Sequence, residues 1–287
     1  MCVGSMGANL LFDVHVHSAP DVIARIGTDD DICAQYEAAG FTGFVLKAHH
    51  EPTVSRAAAL SRHTGMEVVG GIALNTAVGG VNPAAVLAAL ETAGRMVWFP
   101  TSDSHTQVEA ALPRLGDLDG RLDPYSLSIP PIEGEDSPVG RNASLILDLI
   151  AEHDAVLCTG HVSRAECRWL IDQARRRNIS RVLLTHPSYT VPGMSPAEIE
   201  ELAGLGAHVE ITAYQMWHQP GMTVTKLVAV AKAAGPLLIL SSDAGQPDSP
   251  PPPEALHQLV EALKGAGLDA GWIDAAASTV PRALVLT

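Results

Sequence analysis

One pattern recurs along this chain and restricts its fold more than any other feature: a helical stretch, a glycine, a short apolar run, then a polar cluster. Gly40 precedes Phe44-Val45-Leu46, Gly65 precedes Val68-Val69, and Gly94 precedes Met96-Val97-Trp98. Gly206 likewise precedes Val209-Glu210-Ile211, and Gly235 precedes Leu237-Leu238-Ile239-Leu240. Glycine just past a helix takes the left-handed conformation that ends it. The short apolar run after it suits a parallel strand buried on both faces. Strands are expected near 9–17, 43–49, 67–74, 95–101, 155–161, 181–186, 207–213 and 236–243. Helix starts between them are equally legible. Asn82-Pro83 is a cap followed by proline, and Ser163-Arg-Ala-Glu166 and Ser195-Pro-Ala-Glu198 fit the capping box. Eight alternating units predict an α/β fold, a (β/α)8 TIM barrel forming one domain over 1–287. The rival is an open doubly wound sheet, weakened because no G-x-G-x-x-G follows the first strand.

One stretch breaks the rhythm. Residues 102–141 carry Pro113, Gly116, Gly120, Pro124, Pro130-Pro131, Gly134, Pro138 and Gly140 before a helix expected from Asn142. A long loop after the fourth strand would hang over the mouth of a barrel, so it is read as a lid loop, with a plain surface insert as the alternative. The run Pro247–Pro253 reads as a stiff spacer. Hydrophobic residues make up 47% and charged residues 17%, which fits a large core. The net charge of −14 disfavours nucleic acid and anionic membrane as partners. No apolar run nears the ~18 residues of a membrane span. Four cysteines without C-x-x-C spacing and no visible signal peptide suggest a cytoplasmic protein with reduced thiols. Homo-oligomerisation is left open.

Polar residues cluster at the strand ends. Asp13-Val14-His15-Val16-His17 closes the first strand, and alternation puts Asp13, His15 and His17 on one face. Two imidazoles so placed can grip one metal ion; the plainer reading is two buried histidines bonded to backbone. The second strand ends in Lys47 and His49, the fourth in Thr101, Asp103 and His105. The fifth ends in His161, the sixth in His186 and the eighth in Asp243, while Glu210 lies within the seventh. Carboxyl ends of barrel strands converge on one mouth. Singly, His161 is also a helix cap and His186, before Pro187, a turn residue. Lys47 follows three apolar residues and is costly there unless paired or functional. It would bind a substrate carboxylate, pair with Glu210 or Asp13, or become carbamylated and bridge two metals. Lys47, His49, Asp103, His105 and Glu210 are the expected substrate contacts. Asp243 beside a metal-activated water would act as general base, with His186 as the other catalytic residue.

In this order, H-x-H on strand one, His on strands five and six and Asp on strand eight, the chain resembles the amidohydrolase superfamily. Ala275–Leu284 is similar to the A-x-x-N-P-A-x-x-L-G-L ending of such enzymes, with Val280 in place of Asn and the last Gly missing. Leu46–Thr53 resembles an uncharacterised amidohydrolase-like branch. The resemblance implies a metal-bearing (β/α)8 barrel that hydrolyses a small-molecule amide, lactone or ester. It implies His15, His17 and Asp243 as ligands of one divalent metal and His161 and His186 as ligands of a second. Strand four departs from the pattern: binuclear members carry a bridging Lys or Glu where this chain has Thr101 and Asp103. Either Lys47 bridges, or one ion is bound. Zinc is the first expectation, with manganese, iron or nickel as alternatives. Two other functions remain open: a mononuclear decarboxylase-like lyase, and a barrel that binds metal or ligand without turnover.

Overall fold

The computed structural model describes residues 11–112 and 126–286. Residues 9–10 of the first expected strand and the middle of the 102–141 segment lie outside the described residues. Nine strand segments run in chain order: β1 (Phe12–Val16), β2 (Gly43–Leu46), β3 (Glu67–Val69), β4 (Gly71–Ala73), β5 (Met96–Trp98), β6 (Val156–Cys158), β7 (Val182–Leu184), β8 (His208–Thr212) and β9 (Leu238–Ser241). All neighbours are parallel, in the orders β1-β2-β3 and β4-β5-β6-β7-β8-β9.

Two junctions turn these pieces into a ring. On one side, the Asp243 amide donates to the His15 carbonyl at 2.9 Å and the His17 amide to the Ala244 carbonyl at 2.9 Å, joining the end of β9 to β1. On the other, β3 and β4 are one strand interrupted at Gly70. A Cβ there would sit 2.7 Å from the Val54 Cα, because the chain at 53–54 presses against the strand. Thr53 takes over the lost ladder bonds. Its amide donates to the Gly71 carbonyl at 3.0 Å, and its hydroxyl accepts from the Gly71 amide at 3.0 Å while donating to the Leu46 carbonyl at 2.6 Å. Nine segments therefore fill eight positions of a (β/α)8 barrel, near the expected places.

Phe12, Val14, Val45, Met96, Trp98, Leu183 and Ile239 fill the inside of the ring, and Leu284 and Val285 of the last helix plug its floor. The larger apolar layer lies between strands and helices. Ser163 and Ser195 form the expected capping boxes, and the Asn82 side chain accepts from Ala84 and Ala85. Three expectations need correction. The helix expected from Asn142 starts at Pro138, capped by Ser137, and Asn142 instead donates to the Val81 carbonyl at 3.0 Å. The left-handed residue before β5 is Ala93, with φ 76, rather than Gly94, whose missing Cβ makes room for the Ala89 carbonyl.

The third concerns β1. Its pairing with β2 shifts between Asp13 and Val16. Asp13 Oδ1 accepts the amide of His15, two residues on, at 3.1 Å, which pulls that N–H out of the ladder and bulges the strand. Asp13 turns to the helix side, where the Tyr36 hydroxyl donates to it at 2.7 Å, and does not share a face with His15 and His17. Burial pushes the Asp13 carboxyl up to about 6 despite hydrogen bonds from Ser242, Tyr36 and His15. No helix among the described residues is long and apolar enough to cross a membrane.

Candidate metal centre

Each histidine at the mouth is fixed through one ring nitrogen, which decides what the other can do. His15 Nδ1 lies 3.0 Å from Glu210 Oε1, and His17 Nδ1 lies 2.9 Å from the Lys47 carbonyl. A carbonyl and a carboxylate only accept, so both Nδ1 atoms carry the proton and both Nε2 atoms present a lone pair. Those Nε2 atoms lie 3.1 and 3.2 Å from a single oxygen, Oδ1 of Asp243. Three acceptors thus surround one small space. Lys47 Nζ, 3.0 Å from His15 Nε2, is the donor among them. Acceptors gathered this way need a proton or a cation between them.

Two further rings complete the cluster. His186 Nε2 is 4.0 Å from Asp243 Oδ2, and one ligand atom each from His15, His186 and Asp243 lie within 4.8 Å of one another. The His161 ring lies 4.8 Å from that of His186. Its Nδ1 is 3.2 Å from Gln107 Oε1, while its Nε2 and His186 Nδ1 are buried without a hydrogen-bond partner. Burial drives the pKa of His15, His17, His49 and His161 well below the usual imidazole range and that of His186 down to about 3. Neutral imidazole is the ligating form. Burial raises the Asp243 carboxyl, against the attraction of Lys47, and lowers the Lys47 ammonium. The orphaned buried nitrogens and the N/O donor set fit a divalent transition metal.

Backbone strain holds two of these groups in place. His186 has φ 25 and Asp243 φ 49, values non-glycine residues rarely adopt. Glu210 restrains the first by accepting the His186 amide at 3.0 Å. Gly245, with φ 125, restrains the second: a Cβ there would overlap the His17 carbonyl.

The structure therefore brings together His15, His17, Lys47, His49, His161, His186 and Asp243 around one cavity of about 150 Å³, with His15 just behind its lining. Glu210 stands behind His15 and is fully buried. Asp103 and His105 are not brought there. Asp103 accepts the Thr76 amide at 2.9 Å, and His105 Nε2 lies 2.8 Å from Glu166, the capping residue of the helix Arg164–Arg176. Thr101 is committed to His49 Nδ1 at 2.8 Å and Asn75 Nδ2 at 2.6 Å. Sequence reasoning missed Arg25, Gln107, Tyr189, Tyr214 and Gln246, which also line the cavity. Tyr189 and Gln246 each follow a singled-out residue by three positions, the one signal that pointed to them.

Residues 11–210 match a protein family described as a family of unknown function, DUF6282. The chain belongs to that family. None of the curated proteins matches it. Solved structures do. An amidohydrolase from Pseudomonas aeruginosa is 12% identical with a TM-score of 0.60, the match covering 96% of this chain and 95% of that one. An organophosphorus hydrolase from Deinococcus radiodurans is 12% identical with a TM-score of 0.62, over 96% and 92%. A probable dipeptidase from Pseudomonas aeruginosa is 10% identical with a TM-score of 0.62, over 96% and 94%. At these identities the likeness establishes the shared fold, as the sequence resemblance implied.

Proposed function

We propose that this member of the family is a metal-dependent hydrolase of a small-molecule amide, lactone or ester. The observation that carries the reading is the meeting of two oriented imidazole lone pairs and the Asp243 carboxylate at one oxygen's distance, inside a cavity at the barrel mouth. The shared fold of an amidohydrolase and an organophosphorus hydrolase adds support.

His15, His17 and Asp243, with His161 or His186, would hold the ion, zinc by first choice for a nitrogen-rich set. One ion is favoured over two, because Thr101 is engaged by His49 and Asn75 and strand position four offers no bridge. Carbamylated Lys47 remains the route to a second. A cation held there would supply Lewis-acid polarisation of the scissile carbonyl and a water of near-neutral pKa, and would favour the ionised form of Asp243. Asp243 accepts the proton of the attacking water and returns it to the leaving group. Glu210 fixes the tautomer of His15. Tyr189, whose ring lies 5.5 Å from that of His186, and Lys47 both line the cavity in which the substrate would sit. The described ends of the 102–141 segment pair with each other through Ser104 and Leu127, and Gln107 and Leu112 from it reach the cavity, which supports a lid that limits water. The buried free thiols of Cys33, Cys158 and Cys167 support a cytoplasmic location.

A screen of amides, lactones and esters with the zinc- or manganese-loaded protein tests the reading. The expected result is turnover that falls at least 100-fold after dialysis against a chelator and returns on adding metal. Turnover indifferent to chelation would refute it.

A further inference from the structure

The cavity has one cationic wall that the hydrolytic chemistry leaves unused. Arg25 lies in the loop after β1, and its side chain is only 2% exposed although it lines the cavity. A guanidinium carries five N–H donors in a planar fork. Asp21 takes one edge of that fork through a single oxygen, Oδ2, with Nε donating at 2.8 Å. Nη2 lies 2.6 Å from the same oxygen but off the line a hydrogen bond requires, and it finds no acceptor. The pair is thus held through one carboxylate oxygen, short of the two-oxygen match a guanidinium can make.

The wall is built rather than incidental. The loop that carries Arg25 is closed by the Ala19 amide donating to the Gly27 carbonyl at 2.8 Å. It is pinned to the Asp243 strand end by the Ile26 amide donating to the Gly245 carbonyl at 2.9 Å. Asp21 remains ionised to hold the fork: burial raises its carboxyl, but hydrogen bonding from His50 and the charge of Arg25 outweigh this and bring it to about 2. Arg25 shares the lining of the cavity with His17, Lys47, His49 and Asp243. In a protein of net charge −14, this cavity is lined by an arginine and a lysine against one carboxylate, Asp243.

We propose that Arg25 forms an anion subsite that selects substrates bearing a carboxylate beside the scissile amide, lactone or ester. A guanidinium that lines the cavity and spends its planar donors on a single carboxylate oxygen can meet a second carboxylate, and a cavity of about 150 Å³ keeps the two ends of such a substrate close. The substrate class rests on the hydrolase reading above; the anion subsite itself does not.

Two measurements test it and separate the two readings. Calorimetric titration of the metal-loaded protein with succinate and with succinamide reads the subsite without turnover. Succinate is expected to bind at least 30-fold more tightly than succinamide, and R25Q to remove that preference, while R25K keeps part of it. Turnover of 5-oxotetrahydrofuran-2-carboxylate against its carboxamide then reads the substrate class: the acid is expected to have the higher kcat/KM by about 100-fold, a ratio that collapses in R25Q. Succinate preference without hydrolysis of any acyl substrate would sustain the subsite and overturn the hydrolase. Hydrolysis with equal handling of acid and carboxamide, or succinate binding unchanged by R25Q, would overturn the subsite. Inorganic phosphate bound in preference to succinate would overturn the carboxylate assignment. If R25Q fails to fold, R25K, which keeps the charge and loses the planar fork, reads the same preference: succinate binding unchanged in it would overturn the subsite.

Discussion

Asp243→Asn is expected to lower kcat by about three to four orders of magnitude on any substrate of this protein while leaving the fold intact. The substitution keeps the shape of the side chain and removes its capacity to accept a proton. The new amide N–H group can donate to the lone pairs that His15 and His17 direct at this position, 3.1 and 3.2 Å from the present oxygen. The metal-free variant is therefore expected to melt no lower than the metal-free parent. The sign follows from burial, which raises the Asp243 carboxyl. An acid whose pKa is raised by folding costs stability at every pH above its unfolded value, so a neutral isostere relieves that cost at pH 7. Lost activity together with equal or higher melting temperature would mark Asp243 as a group held for chemistry at the expense of stability. Single-turnover kinetics and calorimetric melting of the two proteins check both halves. A loss of less than tenfold in kcat would remove Asp243 from the proton-transfer role.

Glu210→Ala is expected to act through stability and metal affinity together. Glu210 is buried, and both of its oxygens are used. Oε1 accepts from His15 Nδ1 at 3.0 Å and from the Ser241 hydroxyl at 2.7 Å, and Oε2 accepts from the His186 amide at 3.0 Å. Truncation strands three buried donors and frees the His15 ring to turn or change tautomer. Leaving buried donors unsatisfied costs about 1–3 kcal/mol each before relaxation, so a loss of about 3 kcal/mol is expected. In a domain of this size that is roughly 6–12 °C in melting temperature. Removing the carboxylate that orients a metal-binding histidine is expected to weaken metal affinity about 10–100-fold. Glu210→Gln is expected to fall between the two, because its amide keeps one acceptor oxygen. Melting curves and competitive metal titration with a coloured chelator measure both effects. Unchanged affinity in the alanine variant would show that His15 is oriented by something else.

Much of this architecture was legible in the sequence because parallel barrel strands announce themselves twice, by the apolar run and by the glycine that ends the preceding helix. Five of the eight strand positions carry both marks; before β6 and β7 the left-handed residue is Asp154 or Asn178. The convergence of His15, His17, His161, His186 and Asp243 also follows, since strand ends at one rim must meet. What the sequence hid depends on side-chain direction. Period-two alternation puts Asp13 beside His15, yet the Asp13 carboxylate captures the His15 amide, bulges the strand and turns itself to the helix side. Asp103 and His105 lie farther past the end of β5 than Lys47 and His49 past the end of β2, and the chain spends them on Thr76 and Glu166. Glu210 reads as a substrate contact and stands instead behind His15. Arg25 lies eight residues beyond His17, in a loop whose path is fixed by bonds to Ala19, Gly27 and Gly245 that no local pattern encodes.

The account stands on a cation held between imidazoles and a carboxylate at the barrel mouth, and a crystal of the zinc-loaded protein, measured above and below the zinc absorption edge, tests it most directly. The expected result is an anomalous peak at about 2.0–2.2 Å from His15 Nε2, His17 Nε2 and an Asp243 oxygen, with His161 or His186 completing the shell. A map without such a peak after loading, with Lys47 still bonded to His15 and the Asp243 carboxyl in place, would contradict it.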